Sequence, residues 1–137
     1  MCIVIDNQGR AWIGTRGGGL NIFDGEVWQT FTTENSPLLG VKVDAIAFDR
    51  QDRAWIASTK GMNVFDGKNW TSYPNLSNVI DIAVDAQGRV WAMKGFDDGI
   101  VVFDREMQKY YFDPYHLSVG TEFGWGAWIA ADVDGNI

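Results

Sequence analysis

Apolar positions in this chain fall into short runs, and the runs recur in a fixed order. The first kind is apolar almost throughout, as in VDAIAF (43–48) and VIDIAV (79–84), which is the pattern of a strand covered on both faces. An Asp-x-x-Gly unit follows in DNQG (6–9) and DAQG (85–88); in DRQD (49–52) Asp52 stands in the glycine position. The leading Asp can accept backbone hydrogen bonds and the Gly supplies positive φ, so each unit is a turn. The second run alternates about a tryptophan, in RAWIGT, RAWIAS and RVWAMK. A glycine-containing loop leads to a third run, LNIF, MNVF or IVVF. Asp-Gly then predicts a type I′ hairpin turn, with Arg105 replacing the glycine in the third copy. A fourth strand carries Trp28, Trp70 or the Tyr110–Tyr111 pair.

These runs are copies of one unit. IVIDNQGRAWIGT (3–15), IAFDRQDRAWIAS (46–58) and IAVDAQGRVWAMK (82–94) align without a gap, and IAADVDGNI (129–137) begins a fourth copy. The anchors Asp6, Asp49, Asp85 and Asp132 lie 43, 36 and 47 residues apart, the length of a four-stranded propeller blade. The expected fold is therefore all-β: a β-propeller portion with three four-stranded antiparallel blades (about 1–40, 41–78 and 79–124) and no α-helix. The first strand of a fourth blade is expected within 125–137, at about 126–132, giving an incomplete ring in one chain. Trp12, Trp55 and Trp91 each follow their anchor Asp by six residues; the next such Trp would fall at position 138, and the chain stops at Ile137. Three blades cannot close a ring, so the expectation is either a homo-oligomer, most simply a dimer, or the remainder of a longer propeller. The three glycines at 17–19 lead into a strand rather than a helix N-terminus, so they read as architecture and not as a phosphate cradle.

The string Asp-x-x-Gly-Arg-x-Trp-Ile-Gly-Thr, then Gly-Gly-Leu-x-x-Phe-Asp-Gly and Trp, resembles the two-component regulator propeller repeat. The resemblance covers nearly the whole chain. It implies blades of a seven-bladed propeller such as those in the extracytoplasmic sensor regions of bacterial hybrid histidine kinases and related regulators. It further implies environmental sensing, often of carbohydrates. No kinase, receiver or membrane-spanning segment occurs in these residues.

Composition narrows the partners. The 137 residues have the length of one domain, 14% of them aromatic with seven Trp. A net charge of −7 would repel nucleic acid and anionic membrane surfaces, and no apolar run reaches membrane-spanning length. Cys2 is the sole cysteine, so no intrachain disulfide forms. The first residues lack the basic and apolar regions of a signal peptide. The chain reads as soluble, and as extracytoplasmic if it belongs to a sensor.

One His and one Cys cannot build a nucleophilic triad or a zinc site, so no catalytic residue, metal or cofactor is assigned. His116 lies in an interblade loop; streptogramin lyases share a propeller of similar repeats and rely on a histidine, which keeps a lyase as a third reading. Asp6, Asp49, Asp85 and Asp132 read as turn formers, and DVDGN (132–136) lacks the distal Glu of a calcium loop. Trp12, Trp55 and Trp91 read as interblade packing, Trp28 and Trp70 as partly exposed on the outer strand. Asp81 is a charge inside an apolar inner strand, set either to bond a neighbouring loop or to face the channel mouth. Successive connections in a meander alternate between faces, so the second and fourth connections share one. They carry the ligand or partner candidates Arg16, Lys60, Lys94, Phe96, Asp97, Tyr115, His116 and Trp125. Two main function classes follow, a ligand-sensing module and a scaffold that assembles blade to blade.

Overall fold

In the computed structural model, the described residues are 1–95, 99–104 and the backbone of 109–112, and every regular element among them is a strand. The first sheet is β1 (Cys2–Ile5), β2 (Ala11–Gly14), β3 (Leu20–Phe23) and β4 (Trp28–Phe31), paired in chain order. The second is β5 (Val43–Phe48), β6 (Ala54–Ser58), β7 (Gly61–Phe65) and β8 (Trp70–Tyr73). The third is β9 (Val79–Val84), β10 (Val90–Lys94), β11 (Ile100–Phe103) and β12 (Lys109–Phe112). All neighbours are antiparallel, and each repeat Trp sits at the same register position: Trp12 opposite Val4 and Ile22, Trp55 opposite Ala47 and Val64, Trp91 opposite Ala83 and Val102. The strand expected at 126–132 and the anchor Asp132 lie outside the described residues.

The anchor aspartates do more than turn the chain. Asp49 Oδ1 accepts from the backbone N–H of Gln51 (2.9 Å) and Arg53 (3.0 Å), while Oδ2 accepts from Arg53 Nε (2.7 Å) and Trp55 Nε1 (2.8 Å). Asp6 makes the same set with Gln8, Arg10 and Trp12, and Asp85 bonds Arg89 and Trp91 alike. The Trp at i+6 lies on β2, β6 or β10 and the Arg at i+4 immediately precedes that strand, so the carboxylate orients the Trp indole on the sheet. Gly9 and Gly88 adopt φ of 79° and 78°, and Asp52 adopts 57° in the same place. Asp tolerates this left-handed region better than most side chains.

Held this way, Trp12 and Trp55 each pack on the next sheet. Trp12 meets Phe48 edge-on at 5.1 Å, and Trp55 meets Phe103 at 4.8 Å. Two apolar layers result, one between the first and second sheets and one between the second and third. Leu38 and Leu76, from the loops joining the sheets, are buried in them. Covering a Trp contributes about 4–6 kcal/mol, an upper figure measured against an extended chain. The interblade reading of Trp12 and Trp55 therefore holds, and Trp91 is partly buried.

One local expectation is corrected. The Asp-Gly pairs do not form two-residue type I′ hairpins, because only Gly25 (φ 104°) and Gly67 (φ 94°) are positive while Asp24 and Asp66 are not. Asp24 Oδ1 instead accepts from the N–H of Glu26 (2.9 Å) and Val27 (2.8 Å), giving a four-residue connection between Phe23 and Trp28. The side chain supplies the turn bonds that a backbone pair would otherwise make.

Breaking a carboxylate centre should cost more than any turn substitution. Asp49→Ala leaves the Trp55 N–H and the Arg53 guanidinium without their acceptor, and is expected to lower unfolding free energy by about 3–5 kcal/mol. Urea denaturation checks this, with Asp24→Ala as the exposed comparison that loses far less.

Acid sensitivity follows from the same groups. Burial alone pushes the Asp6 and Asp85 carboxyls up, but the Trp N–H, the backbone N–H of the Arg and its guanidinium override it and hold both below the ordinary aspartate value. A carboxyl depressed in the folded state contributes stability that is present above its unfolded pKa and lost as pH falls through its folded value. The urea midpoint is expected to stay level from about pH 7 to 5 and to fall below about pH 4. Titrating the midpoint at constant ionic strength measures it, and an Asp6→Asn, Asp85→Asn variant should fall less steeply.

Candidate functional site

The connections sort onto two faces as their number along the chain requires. Thr15, after β2, accepts at its carbonyl from Val43 N–H (2.8 Å), and Gly19 N–H donates to Val41 O (2.9 Å). Thr59 N–H, after β6, donates to Lys42 O (3.3 Å), and Gly95 N–H, after β10, donates to Asn78 O (2.9 Å). The middle-strand loops are thus tied to the interblade loops along one face. The glycines at 17–19 belong to this lacing and not to a helix. Thr15 Oγ1 accepts from Gly18 N–H (2.8 Å), and at Gly19 (φ 71°) a side chain would strike the carbonyl of Phe31.

The interblade loop before β5 is further pinned by a repeated residue whose role the sequence pattern did not expose. Asn63, fully buried, accepts from Leu39 N–H (3.0 Å) and donates to Pro37 O (3.1 Å) and Ser72 Oγ (2.9 Å). Its counterpart Asn21 accepts from Thr30 Oγ1 at 2.8 Å on the exposed side of the first sheet. The recurrence of Asn in LNIF and MNVF was the available signal.

On this face Arg16 and Lys60 are exposed, and Lys94 is half-buried at the end of β10. Phe96, Asp97, Tyr115, His116 and Trp125 lie outside the described residues. Three groups on or beside the innermost strands complete the described part. Lys42 Nζ pairs with Asp44 Oδ1 at 2.8 Å. Asp44 sits where the β5 register shifts between Val43 and Ala45, and Asp81 is half-buried on β9 with Oδ1 accepting from its neighbour Ile82 N–H at 2.9 Å. Cys2, on β1, lies close enough to feel both carboxylates: burial pushes its thiol up first, and the Asp44 and Asp81 charges push it further, against the opposing pull of the Gly14 backbone and the N-terminal amine. Asp44 on β5 and Asp81 on β9 thus both bear on the thiol of Cys2 on β1. Among the described residues no group of three or more His, Cys, Asp or Glu is placed to hold a metal ion, and no helix is long and apolar enough to cross a membrane.

This arrangement of sheets recurs in solved structures. The extracellular domain of the proposed hybrid two component system BT3049 from B. thetaiotaomicron is 24% identical with a TM-score of 0.69, over 81% of this chain and 16% of that one. That of BT4673 from the same organism is 18% identical with a TM-score of 0.72, over 98% and 18%. A streptogramin B lyase is 16% identical with a TM-score of 0.73, over 97% and 45%. The three sheets are β-propeller blades. The chain spans less than a fifth of the length of the two sensor domains and less than half of the lyase. No protein-family model matches the chain, and no curated protein does.

The inner-strand electrostatics can be read at the single thiol. Asp44→Asn and Asp81→Asn should each lower the Cys2 pKa and speed its alkylation by iodoacetamide at about pH 8, where the thiolate fraction sets the rate. Burial stays as the larger cause, so Cys2 is expected to remain slower than a free cysteine even in the double variant.

Proposed function

We propose that this chain is part of a non-catalytic, ligand-sensing β-propeller module of the two-component regulator type, placed outside the cytoplasm. The observation that carries the reading is the thrice-repeated Asp-Arg-Trp blade, whose sheets overlay the extracellular domains of two hybrid two component systems. The ligand surface is the face of middle-strand and interblade loops. It presents Arg16, Lys60 and Lys94 on a framework held by backbone bonds, and rigid scaffolds commonly place recognition on such loops. The candidates Phe96, Asp97, Tyr115, His116 and Trp125 belong to the same set of connections. Carbohydrate is the favoured ligand class, in keeping with the resemblance of the repeat. A lyase activity is the weaker alternative. It would rest on the fold shared with streptogramin B lyase and would need His116 as its proton carrier.

A panel of neutral and uronate-containing oligosaccharides, titrated by calorimetry, tests the reading. A binder from the panel is expected to lose at least about tenfold in affinity, roughly 1.4 kcal/mol, in an Arg16→Ala, Lys60→Ala, Lys94→Ala variant whose melting temperature is unchanged. Equal binding by that variant would move the surface elsewhere, and loss of binding in His116→Ala together with substrate turnover would favour the lyase.

A further inference from the structure

The two junctions among the described residues define what a blade face needs. In the first, Trp12 and Phe31 of the leading sheet clasp Phe65 of the next, at 6.3 and 5.7 Å, with Trp70 stacked on Phe65 at 4.6 Å. In the second, Trp55 and Tyr73 clasp Phe103 at 4.8 and 5.3 Å. The first sheet offers the same receiving face to solvent. Phe23 occupies the register position of Phe65 and carries Trp28 stacked at 4.7 Å, as Trp70 stacks on Phe65. Ile3, Ile5 and Trp28 are 61%, 59% and 57% exposed, whereas Ile46, the counterpart of Ile3 in the covered second sheet, is 6% exposed.

On the opposite, donating face of the third sheet Ala83, Met93 and Val102 are buried, and two larger side chains beside them are less covered than their counterparts. Leu20 and Met62 are wholly buried where they face the next sheet, but Ile100 at the same position is only half-buried. Trp91 is likewise less covered than Trp12 and Trp55.

We infer that these two faces form one more blade junction between copies of this chain, head to tail. The donating face of the third blade in one copy, with Trp91 and Ile100, seats on Ile3, Ile5, Phe23 and Trp28 of a second copy. The partner is identified by the chain's own first junction, which shows which surface covers a Phe stacked on a Trp. Such a contact is heterologous, so it either closes into a ring or continues. Two copies bring at least six blades, within the range in which propellers close.

Sedimentation of the 137-residue chain between about 1 and 100 µM tests this, since mass action populates the assembly as concentration rises. The expected result is a weight-average mass that climbs from the 15.3 kDa monomer to a dimer or larger. Ile3→Lys with Trp28→Lys, both at exposed positions, should weaken self-association at least tenfold while leaving the circular dichroism spectrum unchanged. That variant keeps its donating face, so added to the wild type it should cap and shorten the assemblies. Ile100→Lys removes the other half, and mixing it with the leading-face variant should restore a one-to-one complex that neither forms alone. A wild type that stays at the monomer mass throughout overturns the inference, leaving the face to a different blade. Self-association that survives Ile3→Lys with Trp28→Lys, or wild-type assemblies that the variant cannot cap, would overturn it too; the latter would mean a back-to-back contact.

Discussion

The blades hang on one repeated carboxylate, which serves four donors in the first two copies and the Arg and Trp donors again in the third. The anchor Asp sits before the turn, accepts backbone N–H groups of the turn, and reaches across to the Arg that ends it and the Trp of the following strand. A buried carboxylate with fewer partners would be a liability, because removing a charge from water costs several kcal/mol. Here both oxygens are filled at 2.5 to 3.0 Å in all three copies. The indole N–H is satisfied at the same time, which lets a large aromatic side chain be buried with its one polar atom paired. A polar bond inside one sheet thereby aims the apolar contact made with the next.

That arrangement divides the labour between the two faces. On the turn face, Asn7 of the first blade bonds Asp52 of the second, and Arg50 of the second bonds the carbonyl of Ala86 in the third. Those turns are short, similar and linked blade to blade. On the loop face, ties between backbone atoms run through Thr15, Lys42, Thr59 and Asn78, side-chain bonds from Asn63 and Asn78 add to them, and the side chains of Arg16 and Lys60 stay exposed. Backbone lacing holds loop position while making few demands on most of the loop side chains. This is the physical reason loop sequence can vary on one face while the blade stays the same.

The blades were legible because their repeated residues solve one packing problem, and a problem posed three times leaves a period. Trp at the sixth position after Asp, and Gly or Asp52 at the third, appear in the structure where the spacing put them. What the pattern hid was the acceptor of each Trp. Sequence adjacency suggested that Asp served its own turn, and a side chain reaching six residues ahead has no signature in periodicity. The hairpin type was misjudged for a related reason: Asp24 bonds the turn through its side chain, so the backbone never needs positive φ at two residues. The ligand candidates were legible only as a face. A binding residue is by nature one that differs among copies, and within a single chain such differences look the same as tolerated loop variation.

The same logic bears on the first blade. Repeat arrays commonly finish in a unit whose outer side is polar, since an apolar end invites association. The outer side of this blade is instead built like the covered ones: Ile3 and Ile5 alternate with Val4 on the inner strand, and Phe23 stacks with Trp28 on the outer pair. Asn21 and Thr30 are the polar members of that side, and in the second blade the matching Asn63 and Ser72 are also bonded to each other. Asn63 additionally holds the Pro37 and Leu39 backbone of the preceding loop, two bonds that require a blade in front of it. Asn21, half-buried, keeps a side-chain bond to the matching position, here accepting from Thr30. An Asn that bonds a preceding loop in one copy and is half-buried in the other shows that the first blade carries the same side-chain equipment on this side as the covered second blade.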